Sequence, residues 1–153
     1  MAEGQIRATE VLPLLLVTSD DQNERSLRAI LDGTSRAMYR VKNCNEAVHV
    51  LEGLNPSVVL VEADFHTGDW KRLLDRMMNL QRSPELIVFS CFADDGLWAE
   101  VLNRGGYDVL AVPFDTAEVR RTISLAIGSQ ARKLALGSSL PRLAPARAAA
   151  TAA

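Results

Sequence analysis

Four short runs of consecutive apolar residues punctuate the chain: Leu14 to Thr18, Val58 to Val61, Leu86 to Phe89 and Val109 to Val112. None alternates apolar with polar positions, which is the pattern of strands covered on both faces, as in a parallel sheet. Met38-Tyr39-Arg40-Val41 is more polar and fits an edge strand. Between the runs, apolar residues return at helical spacing. Leu27, Ile30 and Leu31 form one set, and Ala47, Val48, Val50 and Leu51 a second. Leu73, Leu74, Met77 and Met78 follow, then Leu97, Trp98, Val101 and Leu102, and finally Val119, Ile123, Ala126 and Ile127. Capping-box spacings from Asp21 to Glu24, Asn43 to Glu46 and Asp115 to Glu118 predict helix starts. Gly33, Gly53 and Gly105 are expected helix stops. Strand and helix alternate five times, so the expected fold class is α/β: a flavodoxin-like, doubly wound parallel sheet with strand order 2-1-3-4-5.

The patterned part covers residues 11–133 of a chain of 153 residues, a size that predicts one domain with a single core. Residues 1–10 read as a loose leader. Residues 134–153 are rich in Ala and Pro, lack a docking face and are expected to be a disordered tail, too short for an output domain. Charge refines this picture. The formal net charge is −2, but all 19 acidic residues lie between Glu3 and Glu118 with 11 basic ones, whereas the six remaining basic residues follow Val119. An acidic body thus carries a basic end. The near-neutral total argues against nucleic acid as a partner. The longest apolar stretch, Val11 to Val17, falls far short of the ~20 residues that span a bilayer. No secretory leader is apparent, and the two cysteines, Cys44 and Cys91, form no Cys-x-x-Cys. A cytoplasmic location, with no membrane partner and no zinc framework, is the expectation.

In open sheets of this order, ligands sit beyond the carboxyl ends of the strands, at the switch between the first and third. That rule selects Thr18 to Asp21, Glu62 to Asp64, Ser90-Cys91 and Val112-Pro113. Acidic groups converging there from two strands suit a hard divalent cation. Asp20 is the expected crevice carboxylate, and Asp21 the expected helix cap. Outside the crevice, His49 and His66 read as surface or loop histidines, and Met77, Met78 and Trp98 as packing. Cys91 is expected to be partly buried and inert. No dinucleotide fingerprint or P-loop is present.

Several segments, in this order and spacing, resemble the receiver domain of two-component response regulators. They are Leu14-Leu15-Leu16-Val17-Thr18-Ser19-Asp20 with Arg25, then Asn45-Glu46-Ala47, then Pro56-Ser57-Val58-Val59-Leu60-Val61-Glu62 with Gly68-Asp69, and finally Arg104-Gly105-Gly106-Tyr107-Asp108-Val109-Leu110-Ala111-Val112-Pro113-Phe114. The resemblance covers about residues 12–130. It implies a phosphoacceptor aspartate, an acidic pair for magnesium, a hydroxyl and a lysine at the crevice, and a cis bond before Pro113.

Carried over residue by residue, the acceptor position holds Glu62, the acidic pair Ser19 and Asp20, the hydroxyl position Ser90 and the lysine position Val112. The inward-swinging aromatic falls at Val109. Phosphoryl transfer depends on positioning and on neutralising charge with cations. Glu62 displaces the carboxylate by about 1.5 Å, more than the ~1 Å that can already cost about 100-fold, and Val112 removes a fixed positive charge. The expectation is therefore a pseudo-receiver. It would be a stand-alone, non-enzymatic module of phosphorelay signalling that acts by protein–protein interaction, with Glu62 either imitating the phosphorylated state or simply unused. It requires no cofactor, although Asp20, Glu62 and the backbone carbonyl of Asp64 leave room for weak magnesium binding. The alternative is a magnesium-dependent receiver still taking phosphate from a histidine kinase. The partner is a histidine kinase or another signalling protein. By the same resemblance, the face of the fourth helix, fifth strand and fifth helix would serve contacts or homodimerisation, through Asp94, Asp95, Arg104, Arg120 and Arg121.

Overall fold

Alternation within the strands decides which helices cover which face. The computed structural model describes residues 13–34, 36–63 and 69–136; the leader, Asp64, His66 and the chain after residue 136 lie outside the described residues. Strands β1 (Leu14–Val17), β2 (Met38–Val41), β3 (Val58–Glu62), β4 (Glu85–Ser90) and β5 (Asp108–Ala111) alternate with helices α1 (Asp21–Leu31), α2 (Cys44–Leu54), α3 (Asp69–Met78), α4 (Asp95–Asn103) and α5 (Thr116–Leu136). All strand pairs are parallel, in the order β2-β1-β3-β4-β5. Leu14 and Leu16, Val58 and Leu60, and Ile87 and Phe89 pack against Leu27 and Ile30 of α1 and Val119, Ile123 and Ala126 of α5. Their alternates, Leu15, Val17, Val59, Val61, Leu86 and Val88, pack against α2, α3 and α4 through Ala47, Leu51, Leu73, Met77 and Val101. β1, β3 and β4 at the centre, and β5 at one edge, bury side chains on both faces, which is why their sequences read as unbroken apolar runs. β2 lies at the edge, with Tyr39 exposed.

Helix boundaries follow local chemistry, with departures from expectation. Asn43 Oδ1 accepts from Glu46 N, and Glu46 Oε1 accepts from Lys42 N, both at 2.9 Å, so α2 opens on a reciprocal cap. Asp115 accepts from Glu118 N in the same way before α5. α1 differs: its cap is Asp20, not Asp21, with Oδ1 accepting from Gln22 N at 2.8 Å. Gly53 does not end α2; the helix runs through it and stops at Asn55, whose left-handed backbone (φ 54°) lets its N–H reach Leu51 O. Gly106 is required where α4 turns into β5, because a Cβ there would come within 2.5 Å of Val101 Cγ1. Met77 is buried as expected, but Met78 is exposed.

α5 continues to Leu136, taking in the first three residues of the expected tail. A buried carboxylate holds this last part. Glu85, fully buried at the start of β4, accepts from Ser129 Oγ at 2.6 Å and lies 3.6 Å from Lys133 Nζ, which also donates to Ser83 O. A buried charge is tolerated only when paired and hydrogen-bonded, so Glu85 fixes α5 to the sheet. Lys133, counted by sequence with the free basic end, is thereby committed. Beside this pair the Tyr107 hydroxyl is pushed above its usual range by burial first, then by the Glu85 and Asp108 carboxylates, with Arg132 opposing.

Candidate functional site

The parallel register brings the crevice together. Leu14 pairs with Val58 and Val17 with Val61, so the next step places Thr18 beside Glu62. Thr18 continues the side of the sheet that Leu14 and Leu16 occupy, and Glu62 the side of Val58 and Leu60. The Thr18 hydroxyl, fully buried, donates to Glu62 Oε1 at 2.6 Å and accepts from Asp20 N at 3.1 Å. The first-strand group that meets the acceptor position is therefore Thr18, not Asp20 or Ser19. Ser19 is exposed, and Asp20 turns its Oδ1 onto the first turn of its own helix. The strand-end rule selects Thr18 but gives it no role; the positions 14, 16, 18 and 58, 60, 62 hold the signal that it shares a sheet side with Glu62.

The same end of the sheet is braced by Arg40, which sequence reasoning did not single out. Its Nε donates to Thr18 O at 2.9 Å and its Nη1 to Glu24 Oε1 at 2.9 Å. Nη2 lies 3.0 Å from Asp21 Oδ1, a charge contact without hydrogen-bond geometry. This guanidinium is already matched by two carboxylates, so it fixes the Thr18 backbone rather than offering free positive charge to Glu62. At the lysine position, Val112 is partly buried against the α1–α5 side of the core. An apolar side chain thus stands there. The Val112–Pro113 peptide bond is cis, as the resemblance implies. Ser90 is buried, and its Oγ accepts from Phe92 N at 2.8 Å. Cys91 is exposed, contrary to expectation, and Phe92 is 76% exposed. Val109 is buried on the α2–α4 side and Tyr107 on the α1–α5 side.

Magnesium asks for near-octahedral oxygen coordination with one or two free carboxylates. Asp64, the third member of the expected set, lies outside the described residues. Of the other two, Asp20 caps α1 and Glu62 is already met by the Thr18 proton. Among the described residues no three His, Cys, Asp or Glu side chains gather as a metal site. Asp20 and Glu62, each engaged through one oxygen, do not by themselves make up an octahedral set.

One of the five residues expected on a partner face, Arg120, is engaged elsewhere. Asp94 is exposed and caps α4 by accepting from Leu97 N at 2.8 Å. Asp95, Arg104 and Arg121 are exposed, and Arg104 leans toward Glu100 at 3.8 Å. Arg120 turns the other way: its Nε donates to Ile30 O at 2.9 Å, tying α5 to the end of α1. It is a helix-to-helix brace.

No family model matches the chain. Over 125 residues, 82% of this chain, it is 23% identical to the regulatory protein AtoC of Escherichia coli K12, and it spans only 27% of that protein's length. Among solved structures, it superposes on the signal receiver domain of a putative LuxO repressor protein from Vibrio parahaemolyticus with a TM-score of 0.75 at 13% identity, covering 82% of this chain and 97% of that one. The signal receiver domain of an HD domain-containing protein from Pseudomonas fluorescens Pf-5 gives a TM-score of 0.71 at 22% identity, covering 80% and 99%. A putative response regulator from Chloroflexus aurantiacus gives 0.71 at 19%, covering 78% and 99%. Strand order, crevice position and these superpositions agree: the chain has the fold of the response-regulator receiver domain.

Proposed function

We propose that this chain is a pseudo-receiver of two-component signalling, a cytoplasmic module that acts by binding other signalling proteins and does not undergo ordinary aspartyl phosphorylation. One observation carries the reading: the carboxylate at the acceptor position, Glu62, is bonded to the buried hydroxyl of Thr18 rather than placed among metal-binding carboxylates. Val112 adds to it: where the resemblance calls for a lysine, an apolar side chain packs against the core and supplies no cation for an incoming phosphoryl group. Such a site offers neither charge neutralisation nor an aligned acceptor, so a phosphodonor gains little by entering it. No helix among the described residues is long and apolar enough to cross a membrane. The module contributes recognition rather than catalysis, and the contact surface runs over α4, β5 and α5 through Asp94, Asp95, Arg104 and Arg121, with a histidine kinase, another signalling protein or a second copy of the chain as partner.

The test is intact-mass measurement after incubation with magnesium and a small phosphodonor such as acetyl phosphate. The expected result is an unmodified chain. An added phosphoryl group that disappears when Glu62 or Asp64 is replaced would overturn the pseudo-receiver reading and leave a magnesium-dependent, phosphorylatable receiver.

A further inference from the structure

On the opposite side of the sheet from Thr18 and Glu62, α2 and α3 enclose a cavity of about 330 Å³. That volume is at the lower end of the ~300–1,000 Å³ typical of small-molecule sites. Asn45 and His49, one turn apart on α2, line one side, and Arg72 and Arg76, one turn apart on α3, line the other. The i,i+4 spacing puts both guanidiniums on one stripe of α3. Val48 and Leu73 form an apolar part of the wall.

The charge of this cavity runs against that of the body around it. No described carboxylate lies within ion-pair distance of Arg72 or Arg76, whereas their neighbour Lys71 reaches Glu100 at 2.6 Å. Asp75 is the one acid in the lining. It offsets one guanidinium and leaves the other uncompensated. The cavity also opens at the start of α2, where Asn43 and the first-turn Glu46 already close the helix end, so its positive character rests on the two arginines. Two forked guanidiniums on one helix stripe favour an anion with several oxygens. The apolar wall favours one that carries an organic body.

We propose that the α2–α3 cavity binds a small organic phosphate monoester, with Arg72 and Arg76 gripping the phosphate and Val48 and Leu73 packing the organic group. The site is independent of the crevice, so its failure would leave the proposed function untouched. The experiment is amide NMR titration of the full chain with phenyl phosphate, inorganic phosphate and benzoate at constant ionic strength. Phenyl phosphate is expected to give saturable shifts centred on Asn45, His49, Arg72 and Arg76, and to bind more tightly than either comparison anion. The Arg72→Gln/Arg76→Gln variant changes two exposed side chains, keeps a dispersed spectrum, and is expected to weaken binding about tenfold or more, the loss for a hydrogen bond to a charged group. Equal binding of inorganic phosphate would show that the apolar wall takes no part, and equal binding of benzoate would remove the preference for phosphate. Either result overturns the proposal, as would shifts that do not saturate, map elsewhere or persist in the double variant.

Discussion

Replacing Thr18 with valine removes one hydroxyl and almost no volume, so it isolates the hydrogen bonds at the acceptor position. In the native chain that hydroxyl is fully buried, donates to Glu62 at 2.6 Å and accepts from Asp20 N at 3.1 Å. A hydrogen bond to a charged group contributes about 1.5–3 kcal/mol and a neutral one about 0.5–1.5 kcal/mol. Glu62 is only half-buried and water can replace part of the lost bond, which places the total near the low end, about 2 kcal/mol. With a urea dependence of about 2 kcal/mol per molar for a domain of this size, the unfolding midpoint should fall by about 1 M at unchanged slope. A double-mutant cycle with Glu62→Ala then separates this pair from its surroundings, and a coupling of about 1 kcal/mol is expected. Coupling below the ~0.3–0.5 kcal/mol scatter of independent sites would refute the reasoning. Glu62→Asp sharpens the test. It restores the residue type that the resemblance calls for but withdraws the carboxylate by about 1.5 Å, one methylene of a side chain whose placement tolerates about 1 Å. It should therefore lose the coupling to Thr18.

Two further outcomes follow from neighbouring residues. Asp20→Ala should cost about 0.5–2 kcal/mol in urea unfolding, while Asp20→Asn, which keeps the capping oxygen, should cost much less; equal losses would mean that the charge rather than the cap matters. Tyr107 should give a titration visible in tyrosinate absorbance, read in a Tyr39→Phe background that leaves it the sole tyrosine. Burial and the Glu85 and Asp108 carboxylates raise its folded pKa, so the native state keeps a proton that the unfolded state loses above pH ~10. Stability from this group is therefore complete below pH ~10 and declines as pH rises through the folded value. An ionisation below that of the urea-unfolded chain would contradict the burial argument.

Local patterning determined the elements of this protein and their order. Runs of four or five apolar residues are too short for a helix and suit strands covered on both faces, and the helical sets between them supply the covers, so Leu14, Val58, Leu86 and Val109 were legible as sheet positions without a structure. Most capping spacings were legible too, because a cap is a contact within four residues. Failures occurred where the deciding partner was distant in sequence. Whether Asp20 faced the crevice or its own helix depended on which residue of the β1 end met β3, and only the register of Val17 with Val61 decided that. Arg120 could not be assigned a face until α5 was docked on α1, where Ile30 O takes its proton. The extent of α5 depended on Glu85, 44 residues before Ser129. Residue order along the chain also puts Glu62 and Val112 where the resemblance calls for an aspartate and a lysine. Tertiary structure decided what Glu62 does instead: it shares the proton of Thr18, because parallel neighbours in register point to the same side of the sheet.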